Sequence, residues 1–175
     1  MSHDIILGLQ YGDEGKGKVV YNLCQNSYTH CVRFNGGPNA GHTIYHNNNK
    51  IVTHQVPTGI FFDLTCIIGP GCVLDISKLK NEIEEIEKAL GKNIRNNIKI
   101  AKNCHIITEE LIQEDILNDK IGSTKSGIGP TYRNKYNRNG ILAYSVGEKI
   151  HDCEIIDTYE ELNKANIKIL FEGAQ

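Results

Sequence analysis

The sequence predicts an α/β fold in which a mostly parallel, twisted sheet is flanked by helices and carries a β-hairpin insertion. Short apolar runs with the length of buried strands, at residues 5–9 and 167–171, alternate with helical patterns and predict the sheet. Two β-rich runs flank three asparagines at residues 47–49 and predict the hairpin. With 175 residues, 39% of them hydrophobic, the chain is long enough for a single α/β domain over residues 1–175.

The first part of the chain is predicted to alternate strands with loops. An apolar strand enters a glycine loop that leads into a helix, and a second strand ends in another glycine-rich loop. The hairpin and two further strands, separated by Gly69-Pro70-Gly71, come next. These elements are expected at residues 5–9, 19–24, 31–34, 43–56 and 66–75.

An amphipathic helix beginning near Asp75 is the clearest element of the second part. Asp75 or Ser77 can cap its start and Gly91 suits its end. Its apolar residues recur at helical spacing: Ile76, Leu79, Ile83, Ile86 and Leu90. A second helix is predicted over residues 109–121, with an apolar face formed by Leu111, Ile112, Ile116 and Leu117. The remaining predicted elements are strands at 98–101, 105–107 and 167–171, a glycine-rich loop at 121–140 and a helix at 159–165.

Composition narrows the class of protein. A net charge of -2 gives no electrostatic reason to expect binding to nucleic acid or to a membrane surface. No run reaches membrane-spanning length, and the start of the chain does not resemble a signal peptide. The six cysteines form no CxxC pair and mostly adjoin Val, Ile or Leu, so we expect buried, reduced thiols in a cytoplasmic protein.

The segment GDEGKGK at residues 12–18 matches the G-x-x-x-x-G-K pattern of a phosphate-binding loop. Placed between a strand and a helix, such a loop directs backbone N–H groups at an anion, and Lys16 and Lys18 add positive charge. A tight turn with surface lysines is an equally good interpretation of this pattern alone. Val19, which stands where a Ser or Thr normally holds Mg²⁺, counts against an ordinary phosphate loop. Asp13 favours a P-loop-like nucleotide site, since a carboxylate beside phosphates could hold Mg²⁺ or act as a base.

The segment NGGPNAGHT at residues 35–43 is a second candidate, again at the end of a predicted strand. Its glycines would allow a ligand to approach the backbone closely, and the Asn39 amide could form hydrogen bonds with a polar edge of that ligand. His42 is the natural acid or electrostatic partner at neutral pH. The other six histidines are expected to be ordinary surface or core residues, although His54 follows the hairpin closely.

Two later segments complete the candidates. Ser123 and Thr124 precede a glycine loop and could bind a phosphate, followed by a basic cluster of Arg133, Lys135 and Arg138. Taken alone, this segment is better explained as a solvated loop and helix face. At the end of the chain EGAQ places Gln175 after a buried strand, where the carboxyl ends of parallel strands bind ligands.

Together these segments resemble the adenylosuccinate synthetase family. QYGDEGKGKVV is similar to its nucleotide loop, NGGPNAGHT to a second loop, STKSGIGPTYRNKYNRNG to its monophosphate loop, and LFEGAQ to the strand leading to its centre. The order of these segments and the intervening PTGI also fit. The resemblance covers essentially the whole chain and implies the N-terminal part of a longer synthetase domain, in a compact variant.

The resemblance implies an enzyme of AMP biosynthesis, a C–N ligase that joins IMP to L-aspartate with GTP and Mg²⁺ through a 6-phosphoryl-IMP intermediate. Asp13 would remove the proton from N1 of the purine, and His42 would stabilise the transferring phosphoryl group. Mg²⁺ would be held by Asp13 and the Gly41 carbonyl. The implied GTP contacts are Gly12, Asp13, Glu14, Gly15, Lys16, Gly17, Lys18, Gly41, His42 and Thr43. The implied IMP contacts are Asp13, Glu14, Gly15, Lys16, Asn39, Ala40, Gly41, His42, Thr124, Arg138 and Gln175.

Arg138 matches an arginine that reaches the IMP of the neighbouring subunit, which implies a homodimer. The chain departs from the family pattern at Lys125-Ser126, where a Gly-Arg pair is usual. The family also continues beyond Gln175 with the segments that bind aspartate and guanine. A non-catalytic purine-nucleotide-binding module is therefore an alternative. A relative acting on a guanine nucleotide is a third, disfavoured because a base at Asp13 fits N1 of IMP.

Overall fold

The computed structural model describes residues 3–10, 12, 14–118 and 123–174. Within these residues, eleven strands and five α-helices follow one another along the chain. The strands are β1 Asp4–Ile6, β2 His30–Arg33, β3 His42–His46, β4 Asn49–Thr53, β5 Thr65–Ile68, β6 Val73–Leu74, β7 Ile98–Ala101, β8 His105–Ile106, β9 Lys149–Ile150, β10 Cys153–Ile156 and β11 Ile169–Glu172. The helices are α1 Lys16–Cys24, α2 Ile76–Leu90, α3 Glu109–Leu117, α4 Ile128–Tyr136 and α5 Thr158–Leu162.

The central sheet has seven strands in the order β1-β11-β2-β5-β7-β10-β9. All neighbouring strands are parallel except β9, which pairs antiparallel with β10. The mostly parallel α/β fold predicted from the sequence is therefore confirmed. Because β1, β2, β5 and β11 run in the same direction, their carboxyl ends meet along one edge of the sheet.

The predicted hairpin is confirmed as β3 and β4. Asn47 and Asn48 form its turn with φ angles of 48° and 65°, the left-handed values that a two-residue type I′ turn requires. Asparagine tolerates this conformation better than most residues, which is why the Asn run marks the turn. The two strands predicted around Gly69-Pro70-Gly71 also exist, but β5 lies in the central sheet and β6 pairs with β8.

Helix α2 has the predicted bounds and caps. The Asp75 side chain accepts a hydrogen bond from the backbone N–H of Lys78 at 2.9 Å, and Gly91 ends the helix at a φ of 66°. The apolar face packs into the core, where Leu79, Ile83 and Ile86 are fully buried. Helix α2 thereby closes one face of the sheet.

Three expectations need correction. The segment predicted as a glycine-rich loop contains α4, because Gly127 adopts the left-handed conformation that starts it and Pro130 falls in the first turn, where proline is tolerated. Strands β9 and β10 were not predicted. The predicted apolar face of α3 is wrong in its second turn, since Leu117 is 82% exposed and Asp115 is the buried residue.

The six cysteines all lie in the described part of the chain and are free and buried, as predicted. Burial raises the pKa of the Cys72 and Cys153 thiols to about 12, because an apolar interior disfavours the thiolate. Among the described residues, no helix has both the length and the apolar character needed to cross a membrane.

Candidate functional site

A cleft of about 460 Å³ opens at the carboxyl edge of the sheet, beside the ends of β2 and β11. It brings together the glycine loop that precedes α1 and the loop that precedes β3, the first two segments singled out in the sequence. The described residues that line it are Gly12, Glu14, Gly15, Lys16, Gly17, Lys18, Asn35, Gly36, Asn39, Ala40, Gly41, His42, Thr43 and Ala174. The side of the cleft that faces α1 is rich in backbone N–H groups and lysine, a combination suited to phosphate.

The glycine loop is held in shape by Glu14. Its carboxylate accepts hydrogen bonds from the backbone N–H groups of Leu9 and Gln10, at 2.9 and 2.8 Å, and from Lys16 Nζ at 3.0 Å. The hydrogen bond from Lys16 keeps the pKa of Glu14 below its usual value. Gly15, at a φ of 78°, then turns the chain into α1. Lys16 is only 7% exposed, so its ammonium group is fixed in the wall of the cleft.

His42 is oriented by a buried carboxylate. Its Nδ1 lies 2.5 Å from Oε1 of Glu172, and both side chains are buried. Because an ionised carboxylate only accepts hydrogen bonds, Nδ1 carries a proton and donates a hydrogen bond to Glu172. The other ring nitrogen, Nε2, is therefore the one available to a ligand in the cleft that His42 lines.

Arg33 completes a buried charged network with this pair. The Nη2 of Arg33 lies 2.8 Å from Oε1 of Glu172, directly across the β2–β11 pair, and Nη1 donates to the backbone carbonyl of His54. Burial alone would raise the pKa of Glu172, but the opposite charge of Arg33 and the hydrogen bond from His42 hold it well below its usual value. Glu172 therefore stays ionised in the core.

Thr58 supplies further donors to Glu172. Its backbone N–H and its hydroxyl both donate to the carboxylate at 2.8 Å. Neither Arg33 nor Glu172 was predicted as a site residue, although Arg33 lies in the strand predicted at 31–34 and Glu172 directly follows the strand predicted at 167–171. A signal was present: each is a charged residue at the end of a buried apolar strand, and buried charges need partners. Which strands are neighbours could not be inferred, so the pair could not be assigned.

The loop between β2 and β3 is fixed by contacts on both sides. His54 Nδ1 donates to the Ala40 carbonyl at 2.6 Å, which ties the end of the hairpin to this loop. Asn35 accepts a hydrogen bond from the backbone N–H of Ala174 at 3.0 Å. A Cβ at Gly17 would lie 2.7 Å from the Cβ of His42, so a glycine is required for α1 to approach His42. The histidine thus sits against the first turn of α1.

A second buried carboxylate, Glu82 of α2, holds the segment that follows β4. It accepts hydrogen bonds from the backbone N–H groups of His54, Gln55 and Val56, at 2.7, 2.9 and 3.0 Å. Burial raises the pKa of Glu82 and these three hydrogen bonds lower it by less, so the net shift is upward. The segment from His54 to Thr58 is therefore hydrogen-bonded to Glu82 at its start and to Glu172 at its end.

The predicted monophosphate loop lies beside the cleft. The Asp115 carboxylate accepts from the Ser123 hydroxyl at 3.0 Å and from the Gly127 N–H at 2.9 Å, which holds both ends of the loop. Thr124 is exposed and is not among the described residues that line the cleft. The loop leads into Ile128, which packs against Gly37. A Cβ added at Gly37 would lie 3.1 Å from Ile128 Cγ1.

The remaining predicted site residues are not brought together with these. Arg138 is exposed and lies in a separate cleft of about 590 Å³, together with His105 and Lys135. Its reach into a neighbouring subunit stays a prediction. Asp13 and Gln175 lie outside the described residues, so their predicted roles also stay predictions.

The described residues offer few side chains of their own to hold a magnesium ion. They contain no group of three or more His, Cys, Asp or Glu side chains able to hold a metal. Glu14 and Glu172 are already paired with cations. Mg²⁺ usually takes one or two protein carboxylates and completes its shell with phosphates and water. Among the described residues of the cleft, Gly41 is exposed, and its carbonyl could serve as one oxygen ligand.

Comparison with known proteins gives the family. The family model described as adenylosuccinate synthetase matches residues 5–156. The adenylosuccinate synthetase of Cytophaga hutchinsonii is 41% identical over 97% of this chain, and that of Bacteroides fragilis is 44% identical over 88%. These alignments cover 40% and 37% of the two relatives, so the chain spans about 40% of their length.

Two solved structures are similar over nearly the whole chain. A fully ligated adenylosuccinate synthetase from Plasmodium falciparum superposes with a TM-score of 0.83 at 29% identity, covering 99% of this chain and 51% of that one. The succinoaminodeoxyadenylate synthetase PurZ of cyanophage S-2L, bound to dGMP and dATP, gives 0.79 at 26% identity, covering 98% and 51%. On the family match and these relatives, the chain belongs to the adenylosuccinate synthetase family.

Proposed function

We propose that the protein catalyses the GTP-dependent ligation of IMP with L-aspartate to form adenylosuccinate. The observation that carries the proposal is the His42–Glu172 pair, buried beside a glycine loop with a fixed lysine, in a chain of this family. Phosphoryl transfer needs positioned hydrogen-bond donors and cations more than covalent chemistry. The cleft supplies both on regular elements, since Lys16 begins α1 and His42 begins β3.

His42 is the residue that would respond to charge on the transferring phosphoryl group. With Nδ1–H committed to Glu172, a proton on Nε2 makes the ring an imidazolium that donates to a phosphoryl oxygen. The negative charge of Glu172 stabilises that imidazolium, and Arg33 in turn keeps Glu172 ionised. Glu172 therefore acts through His42 as a positioning residue.

Asp13 is the proposed base. It would take the proton from N1 of IMP, so that O6 attacks the γ-phosphorus of GTP and GDP leaves. The amine of aspartate would then displace phosphate from C6 of the 6-phosphoryl-IMP intermediate. Magnesium held by Asp13 and the Gly41 carbonyl would neutralise charge on the phosphates.

The two nucleotides would share the cleft. We assign GTP to Gly12 through Lys18 and Gly41 through Thr43. We assign IMP to Asp13 through Lys16, Asn39 through His42, Thr124 and Gln175. Arg138 would reach the IMP of a second subunit, which makes the active form a homodimer. Six free, buried thiols support a reducing compartment such as the cytoplasm.

The experiment is a turnover assay on the full-length protein with IMP, aspartate, GTP and Mg²⁺. We expect adenylosuccinate from the unchanged protein, and complete loss of turnover in Asp13→Ala with some nucleotide binding retained. Full turnover in Asp13→Ala would remove Asp13 as the base. Nucleotide binding without turnover in the unchanged protein would instead favour a non-catalytic binding module.

A second substrate class is tested in the same assay. The similar PurZ structure holds dGMP with dATP as energy donor, so dGMP and dATP are offered in place of IMP and GTP. We expect IMP to be used at least tenfold more efficiently, a preference worth about 1.4 kcal/mol. The reverse preference would assign the protein to guanine-nucleotide chemistry.

A further inference from the structure

His54, which directly follows β4, is held by two buried charged side chains of opposite sign. Its backbone N–H donates to the Glu82 carboxylate at 2.7 Å, and its backbone carbonyl accepts a hydrogen bond from Nη1 of Arg33. Because Glu82 and Arg33 are both buried, these partners lie in the interior of the protein. The backbone of His54 is therefore fixed on both sides, although the residue as a whole is exposed.

The ring of His54 connects this fixed backbone to the loop before β3. Its Nδ1 lies 2.6 Å from the Ala40 carbonyl, and because a carbonyl oxygen only accepts hydrogen bonds, Nδ1 carries a proton. The ring also lies close to Gly41, since a Cβ added at Gly41 would be 3.9 Å from His54 Cε1. The ring atom that holds the loop is therefore Nδ1.

This hydrogen bond sets the direction of the Gly41 backbone N–H. In a planar trans peptide, the carbonyl of one residue and the N–H of the next point in opposite directions. With the Ala40 carbonyl turned toward His54, the Gly41 N–H points away from His54. The turn and loop hydrogen bonds of the described residues include none that this N–H donates. Gly41 is exposed and lines the cleft, so its N–H is available to a ligand there.

The pairing of the hairpin turns the Gly41 carbonyl in a matching way. His46 and Asn49 flank the two-residue turn and therefore form a hydrogen-bonded pair. Hydrogen-bonded and non-hydrogen-bonded pairs alternate along an antiparallel ladder, so His42 and Thr53 are also hydrogen-bonded. The His42 N–H points to β4, and the Gly41 carbonyl, in the same peptide unit, points away from β4. Both polar backbone groups of Gly41 are thus turned away from β4 and the residue that follows it.

We propose that His54 is a positioning residue whose Nδ1–H holds the Ala40 carbonyl, so that the Gly41 N–H donates to a phosphate oxygen of the bound nucleoside triphosphate. Lys16 and Lys18 line the same cleft and favour an anion beside this N–H. The inference rests on the proposed function, because it assumes that the phosphates of GTP occupy this cleft. His54 is not among the described residues that line the cleft and acts through one peptide unit.

The test uses two amide side chains that replace different ring atoms of histidine. The NH2 group of asparagine reaches the position of Nδ1, whereas that of glutamine reaches the position of Nε2. Calorimetric titration of the full-length protein with GTP gives the Kd for each variant. We expect His54→Gln to raise the Kd about tenfold, as the weakening of one charge-assisted hydrogen bond, and His54→Asn to keep it within about twofold.

His151→Asn is the matched control. His151 Nε2 donates to the Ile76 carbonyl at 2.9 Å, so asparagine removes a ring-to-carbonyl hydrogen bond of the same kind. The φ of 49° at this position is one that asparagine tolerates. His151 is not among the described residues that line the cleft, and the Kd for GTP should stay within about twofold. Urea unfolding of all three variants checks that each is folded in the assay.

The two His54 variants decide the inference. Equal Kd values for His54→Asn and His54→Gln, or a larger loss in His54→Asn, would overturn it, because Nδ1 would then not be the atom that matters. Normal adenylosuccinate formation together with that result overturns this inference alone. An unchanged protein that binds GTP but forms no adenylosuccinate overturns the proposed function, while the two Kd values still decide the role of His54.

Discussion

Glu172 and Glu82 are both buried glutamates of one core, at 0% and 5% exposure, yet their pKa values move in opposite directions. Glu172 contacts two side chains that can carry positive charge, Arg33 and His42. Glu82 contacts three backbone N–H groups. Backbone N–H groups therefore do not offset the burial of the Glu82 carboxylate, whereas neighbouring cationic side chains offset that of Glu172.

The difference matches the positions of the two residues. Glu172 lies at the carboxyl edge of the sheet and touches His42 of the cleft, so a permanent negative charge there can serve the phosphoryl transfer proposed for this site. Glu82 lies on α2 and only shapes the segment after β4. A buried carboxylate can therefore be kept ionised for chemistry, as proposed for Glu172, or can hold the backbone in place, as Glu82 does. The groups that contact the carboxylate distinguish these two roles.

Removing the cation should produce the largest effect. Arg33→Met leaves Glu172 buried without its main partner, and we expect a loss of about 3–5 kcal/mol in the free energy of unfolding. The pKa of Glu172 should rise, which makes the two glutamates alike. Urea unfolding measures the loss, and Arg95→Met is the control because Arg95 forms a partly exposed pair with Glu87. Equal losses in the two variants would mean that burial of the Arg33 pair is unimportant.

Neutralising each glutamate separates chemistry from scaffolding. Glu172→Gln keeps an acceptor for His42 but removes the charge that stabilises its imidazolium. We expect kcat for adenylosuccinate formation to fall about 100-fold, with a small change in KM. Glu82→Gln should leave kcat within about threefold. Steady-state kinetics of the full-length protein checks both, and similar kcat values for the two variants would contradict the distinction.

The smallest effect concerns pH. Because the pKa of Glu82 is raised in the folded state, the folded protein binds more protons than the unfolded chain above pH 4.5. The contribution of Glu82 to stability is thus complete below pH 4.5 and declines as the pH rises through the folded value. Glu172 has the opposite sign: its contribution is present above pH 4.5 and is lost as the pH falls through its lowered value.

Glu82→Gln should therefore cost about 1–2 kcal/mol near pH 4.5 and less at higher pH, since the amide NH2 of glutamine cannot accept the backbone hydrogen bond of the oxygen that it replaces. Urea unfolding of both proteins from pH 4.5 to about 8 measures the difference. A difference that widens with pH would show that Glu82 is stabilised as the anion, like Glu172.

Local signals predicted the parts of the fold that depend on local chemistry. The turn at Asn47 and Asn48, the caps of α2 and the strand–glycine loop–helix unit all follow from backbone preferences of a few residues. Helix α4 was missed because its glycines and Pro130 resemble a loop, although each falls where a helix start accepts it. Strand β9 has two residues, too few for a pattern.

The candidate site divides in the same way. The glycine loop and His42 could be predicted, because their pattern is continuous in sequence. The pairing of Arg33 with Glu172 could not, since the two residues are 139 positions apart and meet only because β11 lies between β1 and β2. Asp115 was hidden for the same reason, inside a helix whose apolar residues suggested a different buried face.

The buried cysteines provide native reporters of how the molecule opens. Thiols are alkylated as thiolates, so Cys66 and Cys153 are protected both by their depth and by their raised pKa. An alkylating reagent reacts with these thiols only after local or global unfolding exposes them. Cys31 lies in β2 under the cleft and donates a hydrogen bond to Glu172. Cys153 lies in β10, next to β9, the last strand in the order of the sheet. The order in which Cys31 and Cys153 are labelled would tell whether the part of the sheet beneath the cleft opens first or the sheet opens as one unit, with no foreign probe introduced.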